Sequence, residues 1–370
     1  MIRKLSARRT PSNALAAPFR ATYIPAVPDA TAAAVEPRIL AVRFSSIGDI
    51  LLTTPLLRAL RTRFPAGRID VVTRRSFRPL LSDNPRIDTV FDLGPEERLA
   101  TLAATLRGTQ YTHLLDLHGS LRSRTLRLLV PGPWRGYSKH RVARALLIRT
   151  KVNRYPPGTP PVPERYFAAA RGLGLRPDGG PPEFFLSAEA EAEAEAWLAS
   201  HGLGGRPLVA LAPGAAHATK RWPLEYWRDL ARSLTAQGRD LVVVGGAEDS
   251  AVSREVAAAA GSRAASAAGD FGLQGTGALL RRAGVAISGD TGVMHMATGV
   301  GTPVVALFGP TVQAFGFFPY AARATVLERD LPCRPCTRMG GPVCPLGHHH
   351  CLRTILPPEV EATALALAGA

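Results

Sequence analysis

The residues to weigh first stand where strand-like runs give out. In "ILAVRFSSIGDILLTTPLLRALRTRF", Ile39 to Phe64, an apolar run halts at a small polar loop ending in Gly48 and Asp49. Gly48 lets backbone approach a ligand closely. A carboxylate at that turn has two open roles: it caps the helix that follows, or it acts as a general base at a cleft. In "VAISGDTGVMHMATGVGTPVVALFGPT", residues 285–311, a second run ends at Ser288-Gly289-Asp290, and Thr291-Gly292 opens a short helix carrying His295. Free backbone N–H groups at the start of that helix, with the positive end of its dipole, suit a phosphate. His295 lies one turn in, within reach of the same anion, with a satisfied core residue as its alternative. Asp290 would repel phosphate, so its roles are to hold the loop or to bond a ribose hydroxyl.

Two weaker constellations follow strands in the same half. "LAPGAAHATKRWPLEYWRDLA", 211–231, carries Lys220, which can pair with a diphosphate as a point charge or be an ordinary surface lysine. "VVVGGAEDSAV", 242–252, supplies Glu248, an acceptor for a sugar or base hydroxyl. Near the end, Cys333-x2-Cys336-x7-Cys344-x6-Cys351 gathers all four cysteines, with His348, His349 and His350 beside the last. The CxxC and the two further cysteines are ligand-like spacing for a structural Zn or an Fe–S cluster, though not that of a standard finger. Free or disulfide-paired thiols are the alternative.

The elements that must position these residues alternate between short β-rich runs and helical periods. Strands are expected at 38–44, 68–74, 89–93 and 112–119, then at 207–214, 239–246, 284–290 and 302–309. Near-continuous apolar strands with helices between them are the pattern of parallel βαβ units. Eight such units make two doubly wound sheets, an α/β fold. The loop "SSIGD" is not the GxGxxG fingerprint, so NAD binding by the first half is rejected. Leu56, Leu57, Leu60 and Phe64 share one helical face, and Pro55 starts that helix near Thr54 or bends it there. A Pro-rich connection, "RYPPGTPPVPERY", leads to an Ala/Glu helix whose start is marked by Ser187, Glu189 and Glu191. The expected division is a disordered basic tail over 1–36, one domain over 37–185 and a second over 186–370 with a Cys-rich segment at 333–351.

Bulk composition sets the frame. A chain of 370 residues is long for one core, and a formal charge of +16 points to acidic partners. Its richness in Ala, Gly, Pro and Arg is also a high-GC bias, so charge is weighed lightly. Aromatic residues make up 6%, too few for stacking platforms, and no reading motif is present, so nucleic acid is not expected. No apolar run is long enough to span a bilayer, and the first residues lack a secretory h-region. Cysteines confined to one short segment suit a reducing cytosol.

Together, "RFSSIGDILLTTPLLRALR", "LAPGAAHATKRWP", "GGAED" and "SGDTGVMHMATGVGTPVVALFGPT" resemble the heptosyltransferases of glycosyltransferase family 9, in order and separation, over about 38–355. The resemblance implies a GT-B fold of two Rossmann-like domains facing a cleft. It implies inverting transfer of heptose from ADP-heptose to the inner core of lipopolysaccharide, a lipid A-Kdo type acceptor, generally with no catalytic metal or other cofactor. By position it implies Asp49 as base, Lys220 near the donor diphosphate and Glu248 at the nucleoside ribose. Asp290, Thr291, Gly292 and His295 match the phosphate loop. Ala215 and Ala216 depart from the family, where some members carry hydroxyls. Another nucleotide sugar or polysaccharide acceptor is the alternative within the family. The implied setting is the cytoplasm, at the anionic inner face of the membrane; Arg122, Arg124, Arg127, Arg135, Lys139, Arg141 and Arg144 of the first domain either meet Kdo, phosphate or anionic lipid or form a solvated basic face.

Overall fold

All eight expected strands form, each short, and all but the edge strand at Thr89–Leu93 are covered on both faces. The computed structural model describes residues 36–369; the expected tail lies outside them but for Glu36. The first sheet holds β1 (Arg38–Val42), β2 (Arg68–Arg74), β3 (Thr89–Leu93), β4 (His113–Asp116) and β5 (Trp134–Gly136) in the order β3-β2-β1-β4-β5. The second holds β6 (Leu208–Ala212), β7 (Asp240–Val243), β8 (Ala264–Ser266), β9 (Val285–Gly289), β10 (Val304–Phe308) and β11 (Ala324–Glu328) in the order β11-β10-β9-β6-β7-β8. Every pairing is parallel.

Helices cover both faces, as parallel sheets require. They are α1 (Ile47–Leu51), α2 (Thr54–Arg63), α3 (Leu99–Arg107), α4 (Leu121–Leu129), α5 (Arg141–Thr150) and α6 (Val162–Arg165) in the first half. The second half adds α7 (Ala188–Ser200), α8 (Leu224–Ala236), α9 (Ser250–Ala259), α10 (Leu273–Arg282), α11 (Gly292–Gly299), α12 (His350–Arg353) and α13 (Pro357–Ala368). Pro55 sits in the first turn of α2, where its missing N–H costs nothing. Ser187 caps α7 by accepting from the Ala190 N–H at 3.2 Å.

The pleat sorts each strand's side chains between cores. Leu40 and Val42 of β1 join Leu102, Leu106 and Leu126 under α3 and α4, while Ile39 and Ala41 face the other way. In the second sheet Val209, Leu211, Val305 and Leu307 pack under α8, α9 and α13. The opposite faces of both sheets share one cluster, continuous through Ile50 and Leu51 of α1 and Met294 and Met296 of α11. The connection before α7 is tied to both halves. The Glu183 N–H donates to Thr54 Oγ1 at 2.7 Å and the Phe184 N–H to the Gly299 carbonyl at 2.8 Å.

Candidate active site

In each sheet the chain reverses its direction of growth between two neighbouring strands: β1 and β4 in the first, β6 and β9 in the second. Loops leaving such a pair diverge, one to each face, and open a crevice at the carboxyl ends of the strands. The two crevices face each other. Together they form a cavity of about 850 Å³ lined by Gly48, Asp49 and His118 from the first half and by Ala215, Lys220, Asp290, Thr291, Gly292 and His295 from the second.

Asp49 lies in the first turn of α1. Its carboxylate accepts from the Ser46 hydroxyl at 3.1 Å and pairs with Arg43 Nη2 at 2.5 Å. It also lines the cavity, while Ser46, the residue before α1, makes no side-chain cap bond. Burial pushes the carboxyl up, but Arg43, the hydrogen bonds of Ser46 and His295 outweigh it and hold Asp49 below the usual carboxylate range. Arg43 is almost fully buried at the end of β1 and donates Nη1 to the Leu117 carbonyl at 2.5 Å. It thus ties α1 to β4. Sequence reasoning passed over Arg43; the signal was a cation interrupting the apolar run Ile39 to Phe44.

Across the cavity, Lys220 is not free. Its Nζ meets Asp290 Oδ2 at 2.7 Å, and the same carboxylate oxygen accepts from Thr311 Oγ1 at 2.7 Å. Asp290 therefore holds loops together, one of the two roles open to it. Thr291 is the residue before α11, with its hydroxyl 3.1 Å from that of Ser288. His295 is 4% exposed, lines the cavity and has no hydrogen-bond partner at Nδ1 among the described residues. Burial drives its pKa down to about 4, so it is a neutral imidazole near pH 7.

The two halves touch through α1 and α11, and two glycines make this possible. A Cβ on Gly48 would lie 2.2 Å from Cδ2 of His295, and one on Gly292 would lie 2.8 Å from Cβ of Ile47. Gly48 was expected to admit a ligand; it admits the His295 ring. The base candidate and the phosphate-loop candidate are thus already neighbours in this structure. Gly48→Ala should cost about 1–3 kcal/mol of unfolding free energy through overpacking. Chemical denaturation of Gly48→Ala, His295→Ala and the double variant checks this: the double should lose less than the sum of the singles.

The remaining charged lining is basic. Lys139, Arg141, Arg144, Arg165 and Arg338 face a cavity whose two carboxylates, Asp49 and Asp290, are already paired. Burial and the nearby Arg43 push Lys139 down to about 8, and its ammonium donates to the His118 carbonyl. His118 ends the run after β4 and was also missed. Burial, Arg43 and Lys139 lower its pKa to about 4, and its Nδ1 has no partner among the described residues.

Two expected features gain no support from the structure. Glu248 is exposed and outside the cavity lining, its carboxylate folded over Gly246; the neighbouring Asp249 crowds Gly214 instead. The short helical turn Ala247–Asp249 turns Glu248 towards solvent. A metal at the cysteine segment is unsupported as well. Among the described residues no group of three or more His, Cys, Asp or Glu is placed to hold an ion, and the four cysteines are free. Cys351 sits in α12 against Leu352 and Ile355, where burial and the neighbouring Cys336, Cys344 and Cys333 push its thiol up to about 11.

Comparison with known proteins gives a consistent neighbourhood. The model of the family described as "Glycosyltransferase family 9 (heptosyltransferase)" matches residues 99–346. The chain is 28% identical over 301 residues to lipopolysaccharide heptosyltransferase 2 of Salmonella typhimurium, covering 75% of this chain and 84% of that one. It is 27% identical over 355 residues to lipopolysaccharide heptosyltransferase 2 of Escherichia coli, covering 89% and 99%. The solved structure of E. coli ADP-heptose lps heptosyltransferase II superimposes with a TM-score of 0.70 at 26% identity, over 90% of this chain and 98% of that one.

Proposed function

The chain belongs to glycosyltransferase family 9, and from that premise we propose that it transfers a heptose from ADP-heptose to a lipopolysaccharide inner-core acceptor, with inversion at the anomeric carbon. The domains that face across the cavity have the GT-B arrangement of the heptosyltransferase structures. In this reading the lobe over 37–185 receives the acceptor and the lobe over 186–370 the donor.

One observation carries the reading. A cavity with a cationic surplus holds a carboxylate on one lobe and, on the other, a lysine beside a helix N-terminus. Two anionic substrates fit that asymmetry: a nucleoside diphosphate at Lys220, Thr291 and Gly292, and an acidic acceptor at Lys139, Arg141, Arg144 and Arg338. Asp49 takes the proton of the acceptor hydroxyl as its oxygen bonds the anomeric carbon. The bond from that carbon to the diphosphate oxygen breaks on the opposite side, and ADP departs with the electron pair. Its growing charge is met by the Thr291 and Gly292 N–H groups, by Lys220 and by a neutral N–H of His295.

The reaction sets modest demands on the base. An alcohol proton becomes acidic only as the new C–O bond forms, so a carboxylate with a depressed pKa serves if it is well placed. The salt bridge from Arg43 supplies placement. No step needs a metal-held water or a redox group. A donor screen tests the assignment: ADP-heptose against other nucleotide sugars, with a Kdo-terminated lipid A acceptor. Preferential turnover of ADP-heptose is expected. Preference for another nucleotide sugar would move the chain to a different substrate within its family, and the absence of turnover with any of them would reject the reading.

A further inference from the structure

The cysteine-rich stretch is a motif of the sequence that the proposed reaction leaves unused. Between β11 and α12, residues 329–349 form no helix or strand. Their backbone groups must therefore find partners elsewhere. Several of those partners lie in the two loops that carry the charges of the second lobe's half of the cavity.

One is the short helical turn Ala218–Lys220. A turn of three residues has few hydrogen bonds of its own and cannot by itself fix the side chain that ends it. Thr219, 3% exposed, is gripped from outside the turn instead. Its N–H donates to the Gly341 carbonyl at 3.1 Å. Its hydroxyl accepts from the Gly341 N–H at 2.8 Å, and its carbonyl accepts from His349 Nε2 at 2.9 Å. Every polar group of Thr219 is thus taken by the cysteine-rich stretch. The other loop is Gly309-Pro310-Thr311, which follows β10. Buried Arg334 donates Nε to the Gly309 carbonyl and Nη2 to the Thr311 carbonyl at 2.7 Å, and it pairs with Glu328 at 2.7 Å. The Cys336 N–H donates to the Pro310 carbonyl at 3.2 Å.

The two grips converge on one ion pair. Thr219 precedes Lys220, and Thr311 bonds Asp290, the partner of Lys220. Between the grips, Arg338 and Met339 line the cavity. The stretch is also anchored in the first lobe, where Lys151 Nζ at the end of α5 donates to the Pro335 carbonyl at 2.6 Å.

We propose that Thr219 is a positioning residue: through it the cysteine-rich stretch sets where the Lys220 ammonium stands, and hence how the donor is met, on the reading that Lys220 binds the donor diphosphate. A lysine stem is flexible, so its ammonium has one place only if the backbone is fixed at one end and a partner waits at the other. Thr219 fixes the backbone, and Asp290, itself tied to Thr311, is the partner. The displacement at stake is small, but a shift of about 1 Å at a reacting group can cost on the order of 100-fold in rate. The grip runs through Thr219, Arg334, His349 and backbone groups, and it asks nothing of the four thiols.

Labelling of lysines by an amine-reactive ester, read by mass spectrometry on the full chain, tests this without a donor. Thr219→Val keeps the side chain's shape and leaves the Gly341 N–H without its acceptor. In that variant Lys220, released from Asp290, should label roughly threefold faster or more, and ADP should bind on the order of tenfold more weakly by calorimetric titration. Lys139, on the other lobe, should label at the parent rate, and Thr219→Ser should restore both values. Parent-like labelling of Lys220 in Thr219→Val overturns the proposal, even where thermal unfolding comes earlier, because a loop that is merely stabilised would show only the thermal change. His349→Phe removes the donor to the Thr219 carbonyl from a half-buried side chain, and its Lys220 labelling decides the matter in the same way should Thr219→Val not fold. Failure of the donor reading looks different: the parent would bind no ADP, or Thr219→Val would label faster at Lys220 and still bind ADP as the parent does. Faster labelling would then support the positioning while rejecting Lys220 as a diphosphate contact.

Discussion

Asp49→Asn is expected to abolish transfer while leaving ADP binding nearly intact. Asn keeps the shape of the side chain and its hydrogen bond with Ser46, but it cannot hold a proton taken from a hydroxyl. Loss of a positioned base costs on the order of 10²–10⁴ in rate. The fall should appear in kcat with ADP-heptose, while calorimetric titration with ADP changes little, since the diphosphate sits on the other lobe. Stability should fall too, because Arg43 loses its carboxylate. That cost stays below the several kcal/mol of a stranded buried charge: Arg43 retains the Ser45 and Leu117 carbonyls, and the Asp49 side chain is 21% exposed. The parent's pH profile carries the same signature. The base works when deprotonated, and Arg43 keeps its carboxyl below the usual range. The acid limb of kcat/KM should therefore lie below the ordinary aspartate pKa, and the rate should not rise between pH 5 and 7 on account of this group. Near-normal turnover by Asp49→Asn would remove the base assignment.

How much of this was legible depends on how each feature is encoded. Seven of the eight strands read from the sequence are central, and a central parallel strand is apolar on both faces, which leaves an unbroken run such as "ILAV"; the eighth, β3, is an edge strand read from its short β-rich run "TVFDL". The three that went unread, β5, β8 and β11, are edge strands. Each is only half-buried along its length, so the run that would announce it is absent. Site residues obeyed a related rule. Asp49, Lys220, Asp290 and Thr291 stand in the loops and first helical turns that follow legible strands, and the cavity forms where those segments meet. Arg43 and His118 were missed because their importance comes from partners far along the chain: Arg43 gains its role from Leu117 and Asp49, and His118 from being enclosed by Arg43 and Lys139. At Glu248 a Gly-rich strand end leaves open which of two adjacent carboxylates turns inward, and it is Asp249 that packs on Gly214. Cysteine spacing suggested a metal, but spacing along a chain does not fix ligand geometry, and among the described residues no group of three or more is placed to hold an ion.

Lys220→Met should do damage of two kinds that a second substitution separates. In the parent, Lys220 balances Asp290, a carboxylate only 9% exposed. Without the lysine that charge is left with the Thr311 hydroxyl as a partner, and the protein should lose up to about 3 kcal/mol of stability, the lower range for breaking a buried pair. ADP affinity should fall by about 10- to 100-fold, as expected for one charge-assisted contact of about 1.5–3 kcal/mol. Lys220→Met with Asp290→Asn removes the stranded charge and should return most of the thermal stability. If the lysine meets the diphosphate, affinity stays low in the double variant; if it only holds the loop, affinity returns with the fold. The first outcome is expected, because the ammonium already sits beside the start of α11, where an incoming phosphate would compete with Asp290 for it. That competition sets the direction of a further effect. Asp290→Asn alone frees the lysine and should bind ADP no more weakly than the parent, so tighter binding to a less stable protein would mark Lys220 as a residue shared between the loop and the leaving group.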